Sequence, residues 1–307
     1  MKGLLSFQGW DRKIMEELIS HAAKIKKNPK KYYDLLKNKT MLMIFEKPSL
    51  RTRLSFEVGM AQLGGHAIYL DVKDSPLGEK ESIEDMAKVS SRYCDIIMAR
   101  MFQHENIIKL AKNSAVPVIN GLTNTFHPCQ ILSDLFTIHE KKKKLKGIKL
   151  AFVGDGNNNI THSLLEGCSA VGMDISIGCP KKFMPLPWVI SLSQKNAKKS
   201  GSKIKILHDA KKAALNADIV YTDSWMSYHI PKEQEAGRLK AFKPFQANKG
   251  LMSYAKKDAL FMNCLPAMRG YEQTAEVIDG EQSIVFDQAE NRLHMQKAII
   301  LKLLNKI

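Results

Sequence analysis

Short apolar runs alternate with helix-like patterns along almost the whole chain of 307 residues. Runs such as Met41–Phe45 and Asp95–Ala99 have the length and apolar character of buried strands, and segments with helical spacing separate them. The alternation restarts at Ile148–Val153 and closes with a predicted strand over Ile284–Asp287 and a helix from Asn291 to Leu304. Alternating strands and helices favour parallel sheets. The sequence therefore predicts the α/β class, with two doubly wound parallel-sheet domains.

A basic stretch, Lys141–Lys146, ends at Gly147 and separates the two alternating halves. A chain of 307 residues exceeds one typical core and suggests two domains of about 150 residues each. We predict a first domain over residues 1–140 and a second over residues 147–288. The C-terminal helix, within residues 289–307, is expected to pack back on the first domain.

The formal net charge of +16 raises the question of nucleic-acid binding. The densest basic cluster is Lys141–Lys144, but the other lysines are spread along the chain. No aromatic stacking pattern and no known nucleic-acid motif accompanies them. A solvated, lysine-rich surface that steers anionic substrates explains the charge better. We therefore expect no nucleic-acid partner.

The sequence contains no sign of secretion or of a membrane partner. No apolar run approaches the roughly 20 residues of a membrane span. The segment Met1–Trp10 lacks the basic region, apolar stretch and cleavage site of a secretory signal. The five cysteines are scattered, odd in number and without CxxC or zinc-ligand spacing. We expect a cytoplasmic protein with free thiols and no metal site.

The segment Phe45–Arg53 joins a predicted strand to a helical pattern and is rich in hydroxyl and arginine side chains. Free backbone N–H groups and the positive end of the helix dipole favour an anion at such a helix start. The planar fork of an arginine such as Arg51 matches two phosphate oxygens at once. The sequence therefore predicts a phosphate site at this turn.

Polar residues also follow other predicted strands. Ligands of open parallel sheets bind beyond the carboxyl ends of the strands, so these positions are candidates for a binding site. They are Arg100, His127–Gln130, Gly154–Asn159, Asp223–Ser227 and Asn263–Pro266. Because they come from both halves of the chain, we expect an active-site cleft between the two domains.

These segments, in this order, resemble the motifs of the aspartate/ornithine carbamoyltransferase family, and its ornithine-specific members most closely. The family's Ser-Thr-Arg-Thr-Arg motif is similar to Ser49–Arg53, in which Leu50 replaces the first threonine. The other family motifs match His127–Gln130, Asp155–Asn159, Asp223–Ser227, Cys264–Pro266 and Ala289–Arg292. The resemblance covers essentially the whole chain, and several motifs in register make it specific.

The resemblance implies transfer of the carbamoyl group of carbamoyl phosphate to the side-chain amine of L-ornithine, which gives citrulline and phosphate in arginine biosynthesis. It also implies a homotrimer or a multiple of trimers, in which the stretch Asp74–Ser82 can reach the neighbouring subunit's site. The reaction needs no metal, nucleotide or flavin, and Gly154-Asp155-Gly156 lacks a full GxGxxG fingerprint. We therefore expect no cofactor.

The resemblance assigns roles to individual residues. Attack by a neutral amine builds negative charge on the carbonyl oxygen, so hydrogen-bond donors must await it, and the Gln130 amide oxygen would accept from the carbamoyl NH₂. The implied catalytic residues are His127, Arg100, Cys264 and Asp223. The implied carbamoyl-phosphate contacts are Ser49, Leu50, Arg51, Thr52, Arg100, His127, Gln130, Cys264, Leu265 and Arg292.

The implied ornithine contacts lie in the second half of the chain. Asp223 suits the cationic amino end of an amino acid, and the Asn159 amide suits its α-carboxylate. Asn158 stays open as an alternative, because three consecutive asparagines blur the register. The implied set is Asn159, Asp223, Ser227 and Tyr228. Cys264 can assist Asp223 in deprotonating the amine, but a small buried apolar role explains this cysteine equally well.

Two departures from the family pattern bear on the acceptor. Tyr228-His229-Ile230 stands where ornithine enzymes usually carry Met-Gly-Gln, and Asn263 replaces the usual histidine before Cys-Leu-Pro. N-acetylornithine and putrescine therefore stay open as alternative acceptors. Trp225–Arg238 lacks the arginine-rich pattern of the aspartate-specific members. A further alternative is a catalytically silent member of the family that binds nucleic acid through its basic surface.

Overall fold

The structure, a computed structural model, describes residues 3–74, 81–227 and 230–307. The chain divides into two compact units, which we call unit 1 and unit 2. Unit 1 comprises Met1–Phe136 and Glu290–Ile307, and unit 2 comprises Thr137–Ala289. Each unit contains one five-stranded sheet in which the paired strands are parallel. The predicted α/β class is confirmed.

The sheet of unit 1 has the strand order β1-β5-β4-β2-β3. Its strands are β1 (Gly3–Leu4), β2 (Thr40–Phe45), β3 (His66–Asp71), β4 (Ile96–Arg100) and β5 (Val118–Leu122). The helices are α1 (Arg12–Lys27), α2 (Leu50–Gln62), α3 (Ile83–Tyr93) and α4 (His104–Asn113), and α5 (Pro128–Lys142) follows. The central strands β2 and β4 are buried along almost their whole length, which explains why they read as continuous apolar runs.

The sheet of unit 2 has the strand order β10-β9-β6-β7-β8. Its strands are β6 (Lys149–Val153), β7 (Asp174–Gly178), β8 (Ile204–Leu207), β9 (Ile219–Tyr221) and β10 (Leu260–Met262). The helices are α6 (Asn159–Val171), α7 (Pro187–Ser200), α8 (Ala210–Ala214), α9 (Glu235–Phe242), α10 (Lys249–Met252) and α11 (Ala275–Ile278), and α12 (Val285–Leu303) follows. An alanine-rich core packs α8 against β6 and lets the helix approach the sheet closely.

The prediction of a strand over Ile284–Asp287 is wrong, because α12 already begins at Val285. Ile284 donates its backbone N–H to Phe261 of β10 at 3.0 Å, and its carbonyl then accepts from Gln288 at 2.9 Å as the helix starts. Ile284 and Val285 are buried, whereas the side chain of Phe286 is 72% exposed. A run of apolar residues that looks like a strand is therefore a single bridge followed by a helix start.

The strand order places two strand ends side by side in each sheet. In unit 1, β3 lies on one side of β2, and the chain then crosses to form β4 on the other side of β2. In unit 2, β7 and β8 lie on one side of β6, and the chain then crosses to form β9 on the other side. Such a reversal leaves a crevice at the carboxyl ends of the two strands, where α/β proteins bind their ligands. The residues that follow β2, β4, β6 and β9 are thus the expected site residues of each unit.

Candidate active site

The first turn of α2 presents backbone N–H groups next to the end of β2. Ser49 is the N-cap residue, and its Oγ accepts the backbone N–H of Thr52 at 3.3 Å. The Leu50 side chain is 68% exposed, so only its backbone is placed to contribute to an anion site. Arg51 is half-buried. Arg53 is engaged elsewhere, because its Nε donates to Glu57 at 3.0 Å.

Two guanidinium groups converge on the hydroxyl of Thr52, which is fully buried. Arg292 donates from Nη2 to Thr52 Oγ1 at 2.9 Å, and Arg100 approaches the same oxygen from Nη1 at 3.5 Å. The side chains of both arginines are buried. Two buried positive charges this close together favour a negative charge beside them, so this cluster is suited to an anionic ligand.

A β-bulge positions Arg100 at this cluster. The register between β4 and β5 shifts between Ala99 and Arg100, so that Ala99 pairs with Asn120 and Arg100 pairs with Leu122. The extra residue on β5 is Gly121, where an added Cβ would lie only 2.5 Å from Met98 Sδ. Bulges re-aim side chains at the ends of strands, and this one directs the last residue of β4.

His127 and Gln130 lie at the start of α5. Thr123 holds the preceding turn, because it accepts the N–H of Phe126 at 3.1 Å through its Oγ1. Burial lowers the pKa of His127 well below the ordinary 6.5, and the charges of Arg292, Arg100 and Lys47 lower it further. The imidazole is therefore neutral at physiological pH and can donate one hydrogen bond.

The side chain of Gln130 has one end fixed and the other end open. Its Nε2 donates to Asp134 Oδ1 at 2.8 Å, which sets the orientation of the amide. Its Oε1 is buried and has no hydrogen-bond partner among the residues that the structure describes. A buried acceptor without a donor is rare in folded proteins, and it marks the place where a ligand N–H fits.

The sequence analysis did not single out Lys47. Its side chain is buried, its Nζ donates to Asn124 Oδ1, and the ammonium lies 4.4 Å from the centre of the Phe102 ring. Burial and the charge of Arg100 lower the pKa of Lys47 to about 8, against an opposing effect of Glu46. A lysine is usually expected to be solvated, and only its place two residues after the buried strand β2 indicates otherwise.

In unit 2, a carboxylate and a thiol meet at the ends of β9 and β10. Cys264 Sγ donates to Asp223 Oδ1 at 3.1 Å, and Asn158 Nδ2 lies 3.4 Å from Asp223 Oδ2. Asp223 is buried, and burial raises the pKa of its carboxyl above the ordinary 3.8, although the hydrogen bond from Cys264 opposes the rise. A carboxylate of this kind is a stronger base than an exposed one.

The consecutive asparagines differ in their environments. Asn158 is the buried N-cap of α6, and its Oδ1 accepts the N–H of Thr161 at 2.8 Å. Asn159 is the first residue of α6 and is half-buried. Ser227 is half-buried and is the last residue of the described range 81–227. Tyr228, predicted as an ornithine contact, lies outside the described residues, as does most of the stretch Asp74–Ser82.

A buried ion pair holds the segment that leads to Ser227. Arg238 Nη2 pairs with Asp155 Oδ2 beyond the end of β6, and Arg238 Nε donates to the Trp225 carbonyl at 2.8 Å. The guanidinium lies 4.9 Å from the ring centre of Phe183 and 5.0 Å from that of Phe242. Sequence reasoning identified Asp155 through its motif but missed Arg238, which lies 83 positions further along the chain.

Cys264 and Leu265 form a turn directly after β10. Leu265 has a left-handed backbone with φ of 56°, and its N–H donates to Asn263 Oδ1 at 2.8 Å. Both Cys264 and Leu265 are half-buried. All five cysteines are free thiols. Within the described part of the chain, no group of three or more His, Cys, Asp and Glu side chains is arranged to hold a metal ion, and no helix combines the length and apolarity of a membrane span.

These geometries define a class of protein: an α/β enzyme with an anion pocket in one unit and a carboxylate paired with a thiol in the other. Family models match both parts. The model for the carbamoyl-P binding domain of aspartate/ornithine carbamoyltransferase matches residues 2–140, and the model for the Asp/Orn binding domain matches residues 146–303. The chain belongs to the aspartate/ornithine carbamoyltransferase family, and the resemblance seen in its motifs is confirmed.

Individual relatives agree with the family models. The ornithine carbamoyltransferase of Bacillus subtilis is 48% identical over 305 residues, which cover 99% of this chain and 94% of the relative. A solved ornithine carbamoyltransferase from Pyrococcus furiosus superposes with a TM-score of 0.96 at 47% identity and covers 100% of this chain and 98% of that one. A solved anabolic ornithine carbamoyltransferase from Campylobacter jejuni has a TM-score of 0.93 at 37% identity and covers 100% of both chains.

Proposed function

We propose that this chain is an ornithine carbamoyltransferase, which transfers the carbamoyl group of carbamoyl phosphate to the side-chain amine of L-ornithine and releases citrulline and phosphate. One observation carries the donor assignment. Unit 1 gathers buried guanidinium groups, a neutral imidazole and the open acceptor of Gln130 in the region beyond β2, β4 and β5. These groups complement the phosphate, the carbonyl oxygen and the NH₂ group of carbamoyl phosphate, respectively.

The donor half-site follows from this complementarity. Phosphate oxygens receive the N–H groups at the start of α2, the Ser49 hydroxyl and the forks of Arg51 and Arg100. Arg292 and the Thr52 hydroxyl complete the pocket, since they are already bonded to each other. The Gln130 oxygen accepts from the carbamoyl NH₂, and the backbone carbonyls of Cys264 and Leu265 stay predicted contacts of the same group.

Catalysis at the carbonyl is electrostatic. When the amine attacks, negative charge develops on the carbonyl oxygen, and donors fixed in advance stabilise it more than mobile water does. His127 is a neutral donor whose proton is retained at physiological pH, and Arg100 adds a full charge. The bond between the carbamoyl carbon and the phosphate oxygen then breaks, and the arginine side chains stabilise the negative charge of the leaving phosphate.

The acceptor half-site lies in unit 2. Asp223 binds the cationic amino end of the acceptor, Asn159 binds its α-carboxylate, and Ser227 contacts the same amino acid. Asn159 is preferred over Asn158 for this contact because the side chain of Asn158 caps α6. The attacking amine must lose a proton, and the hydrogen bond between Cys264 and Asp223 supports this pair as the proposed proton acceptor. Tyr228 stays a predicted contact, and the interdomain cleft stays a prediction as well.

A carbamoylation assay with a panel of amines tests the function. We expect transfer to ornithine, with N-acetylornithine, putrescine and aspartate as poor acceptors. Putrescine has no α-carboxylate. Asn159→Ala should therefore strongly lower the rate of transfer if the acceptor is ornithine, but change it little if the acceptor is putrescine. Preferred transfer to putrescine would replace the acceptor assignment. Salt-dependent binding of RNA or DNA without any carbamoyl transfer would overturn the function.

The two motif arginines of α2 provide a matched pair of variants. Arg51→Ala should weaken binding of carbamoyl phosphate by about 100-fold, since two charge-assisted hydrogen bonds contribute about 3 kcal/mol together. Arg53→Ala should change it by less than about threefold, because Arg53 pairs with Glu57 on an exposed face. Calorimetry of both variants measures the difference. Equal losses would show that the pocket is assigned to the wrong residues.

The lowered pKa of Lys47 predicts pH-dependent binding of the donor. Lys47 is charged below about pH 8 and neutral above it, so affinity for inorganic phosphate should fall as the pH rises from about 7.5 to about 9.5. If the bound dianion raises the pKa of Lys47 by one unit, the affinity falls about sixfold over this range, toward a limit of about tenfold. Arg100, Glu46 and His127 are the other charged or titratable groups around it.

Calorimetric titrations with inorganic phosphate across this pH range test the role of Lys47. Lys47→Met should bind more weakly near neutral pH and lose the dependence. Lys88→Met is the control, since Lys88 is an exposed lysine of the same unit. Identical slopes for the wild type and Lys47→Met would remove Lys47 from the donor pocket.

We also propose a homotrimer with unit 1 at the contact. Leu50, Leu54 and Val58 form an exposed apolar stripe along one face of α2, with 68%, 50% and 38% of their surfaces exposed, and Ile68 on edge strand β3 is 43% exposed. Residues four apart lie on one face of a helix, and a stripe of this kind marks an association surface.

Light scattering should give a mass of three times 34.6 kDa. Leu54→Glu should dissociate the trimer by placing a charge in the contact. Leu215→Glu is the control, because Leu215 is also 50% exposed but lies in unit 2. A monomeric wild type, or a trimer that survives Leu54→Glu, would contradict this interface.

The proposal includes arginine biosynthesis as the setting and the cytoplasm as the location. The first is supported by the anabolic relative of Campylobacter jejuni, and the second by five cysteines that are all free thiols. Nucleic acid is not expected as a partner.

A further inference from the structure

A set of buried side-chain amides lies beneath the turn of Cys264 and Leu265. Asn263, Gln273 and Gln288 are each fully buried. The backbone N–H of Asn263 donates to Gln288 Oε1 at 3.0 Å, and Asn263 Nδ2 donates to Gln273 Oε1 at 2.9 Å. The remaining end of the side chain, Asn263 Oδ1, accepts the N–H of Leu265 at 2.8 Å.

These amides connect the turn to rigid elements of unit 2. Gln288 Nε2 donates to the Tyr221 hydroxyl at 2.9 Å, which anchors the set on the last residue of β9. Gln273 Nε2 donates to the Met268 carbonyl at 3.1 Å, and the Met268 N–H donates to Glu272 Oε1 at 2.8 Å. Both ends of the segment that follows β10 are therefore tied to one network.

The bond from Asn263 holds a backbone that leucine rarely adopts. Leu265 has a φ of 56°, in the left-handed region that disfavours residues with a Cβ. Such a conformation persists only where the surroundings determine it. Asn263 Oδ1 supplies one fixed partner for the Leu265 N–H, and the orientation of that peptide decides where the Cys264 thiol and the Leu265 carbonyl point.

We propose that Asn263 is a positioning residue for the Cys264–Leu265 turn. Its amide oxygen fixes the peptide that presents the Cys264 thiol to Asp223. This inference rests on the proposed function. The family usually carries a histidine here, and a neutral imidazole can also accept on one nitrogen and donate from the other. The asparagine does the same without a group that titrates near neutral pH.

Two variants of Asn263 test this role by steady-state kinetics. Asn263→Ala removes both side-chain bonds and should lower kcat by about 10²-fold, the loss expected from a misplaced reacting group, with a smaller change in KM for ornithine. Asn263→His should retain turnover at high pH. The imidazolium has no acceptor for the Leu265 N–H, so the ratio of its kcat to that of the wild type should fall about tenfold per pH unit below its pKa, ordinarily about 6.5.

Titratable neighbours and a control complete the design. Asp223, Glu272, Cys264 and the Tyr221 phenol are titratable groups near Asn263. The two carboxyl groups should raise the pH at which kcat of Asn263→His falls on the acid side. Gln282→Ala is the control, because Gln282 Nε2 binds the Ala259 carbonyl at 2.8 Å before β10 begins. Its kcat should stay within about twofold of the wild type, the scatter of a neutral change.

The outcomes separate this inference from the proposed function. A wild type that transfers no carbamoyl group to ornithine would refute the function itself. An active wild type with a folded Asn263→Ala variant of unchanged kcat would overturn the role of Asn263. If Asn263→Ala does not fold, a pH-independent ratio for Asn263→His overturns it instead.

Discussion

Replacing Asp223 with asparagine is expected to lower kcat for citrulline formation by about 10²- to 10⁴-fold, the range for loss of a positioned base. Asparagine keeps the shape of the side chain but cannot take a proton from the attacking amine. Asp223 is buried, and its raised pKa makes it a better proton acceptor than an exposed aspartate. Steady-state assays with saturating donor and ornithine measure the loss.

The pH dependence of the wild type follows from the same shift. A base acts only when it is deprotonated, so activity should fall on the acid side as Asp223 takes up its proton, in a limb above the ordinary 3.8 of aspartate. Asp223→Asn should lack this limb. Asp209→Asn is the control, because Asp209 caps α8 through the Lys212 N–H, and asparagine caps equally well. A variant at Asp223 with more than about a third of wild-type turnover would exclude a role as base.

Replacing His127 with alanine is the second large change. We expect kcat to fall by about 10²- to 10³-fold, as for removal of one donor to a developing oxyanion. Binding of carbamoyl phosphate should weaken much less, since the arginines and the start of α2 hold its phosphate. Because the lowered pKa leaves the imidazole neutral, we expect it to act as a donor in the transition state rather than as a fixed charge for the phosphate.

Single-turnover kinetics separates the two effects of His127→Ala. The rate of the chemical step should fall, while the donor concentration at half-saturation changes little. His66→Ala is the control, because His66 is an exposed histidine on edge strand β3 of the same unit. Unchanged chemistry in His127→Ala would remove this residue from the mechanism, and a loss confined to donor binding would assign it to the phosphate.

The sequence predicts the α/β class correctly and predicts that polar segments follow the strands, because both features depend on local patterns. Parallel strands buried on both faces read as apolar runs, and polar residues at their ends stand out. The same logic fails at Ile284–Asp287, where an apolar run starts a helix instead of a strand. One bridge to Phe261 and burial of Val285 decide that outcome, and neither is visible in a local pattern.

Side-chain partners could not be predicted in this way. Arg51 and Arg53 are equivalent in the sequence, yet Arg53 stacks 4.0 Å from the Tyr69 ring centre and pairs with Glu57. Lys47 reads as an ordinary surface lysine but is buried. Arg238 reaches Asp155 from 83 positions away. Each of these residues has a partner far along the chain, namely Tyr69, Asn124 and Asp155, and a local pattern does not reveal such partners.

The fixed amide of Gln130 bears on which donors the enzyme rejects. Asp134 holds its Nε2, so the amide cannot rotate to offer an N–H in place of its oxygen. Acetyl phosphate has the same outline as carbamoyl phosphate, with a methyl group where the NH₂ stands. Bound here, it would leave a buried oxygen unpaired, and sites of this kind discriminate against such analogues by about 10⁴-fold. We therefore expect the Asp134 carboxylate to contribute to selectivity among acyl phosphates, although it does not touch the donor itself.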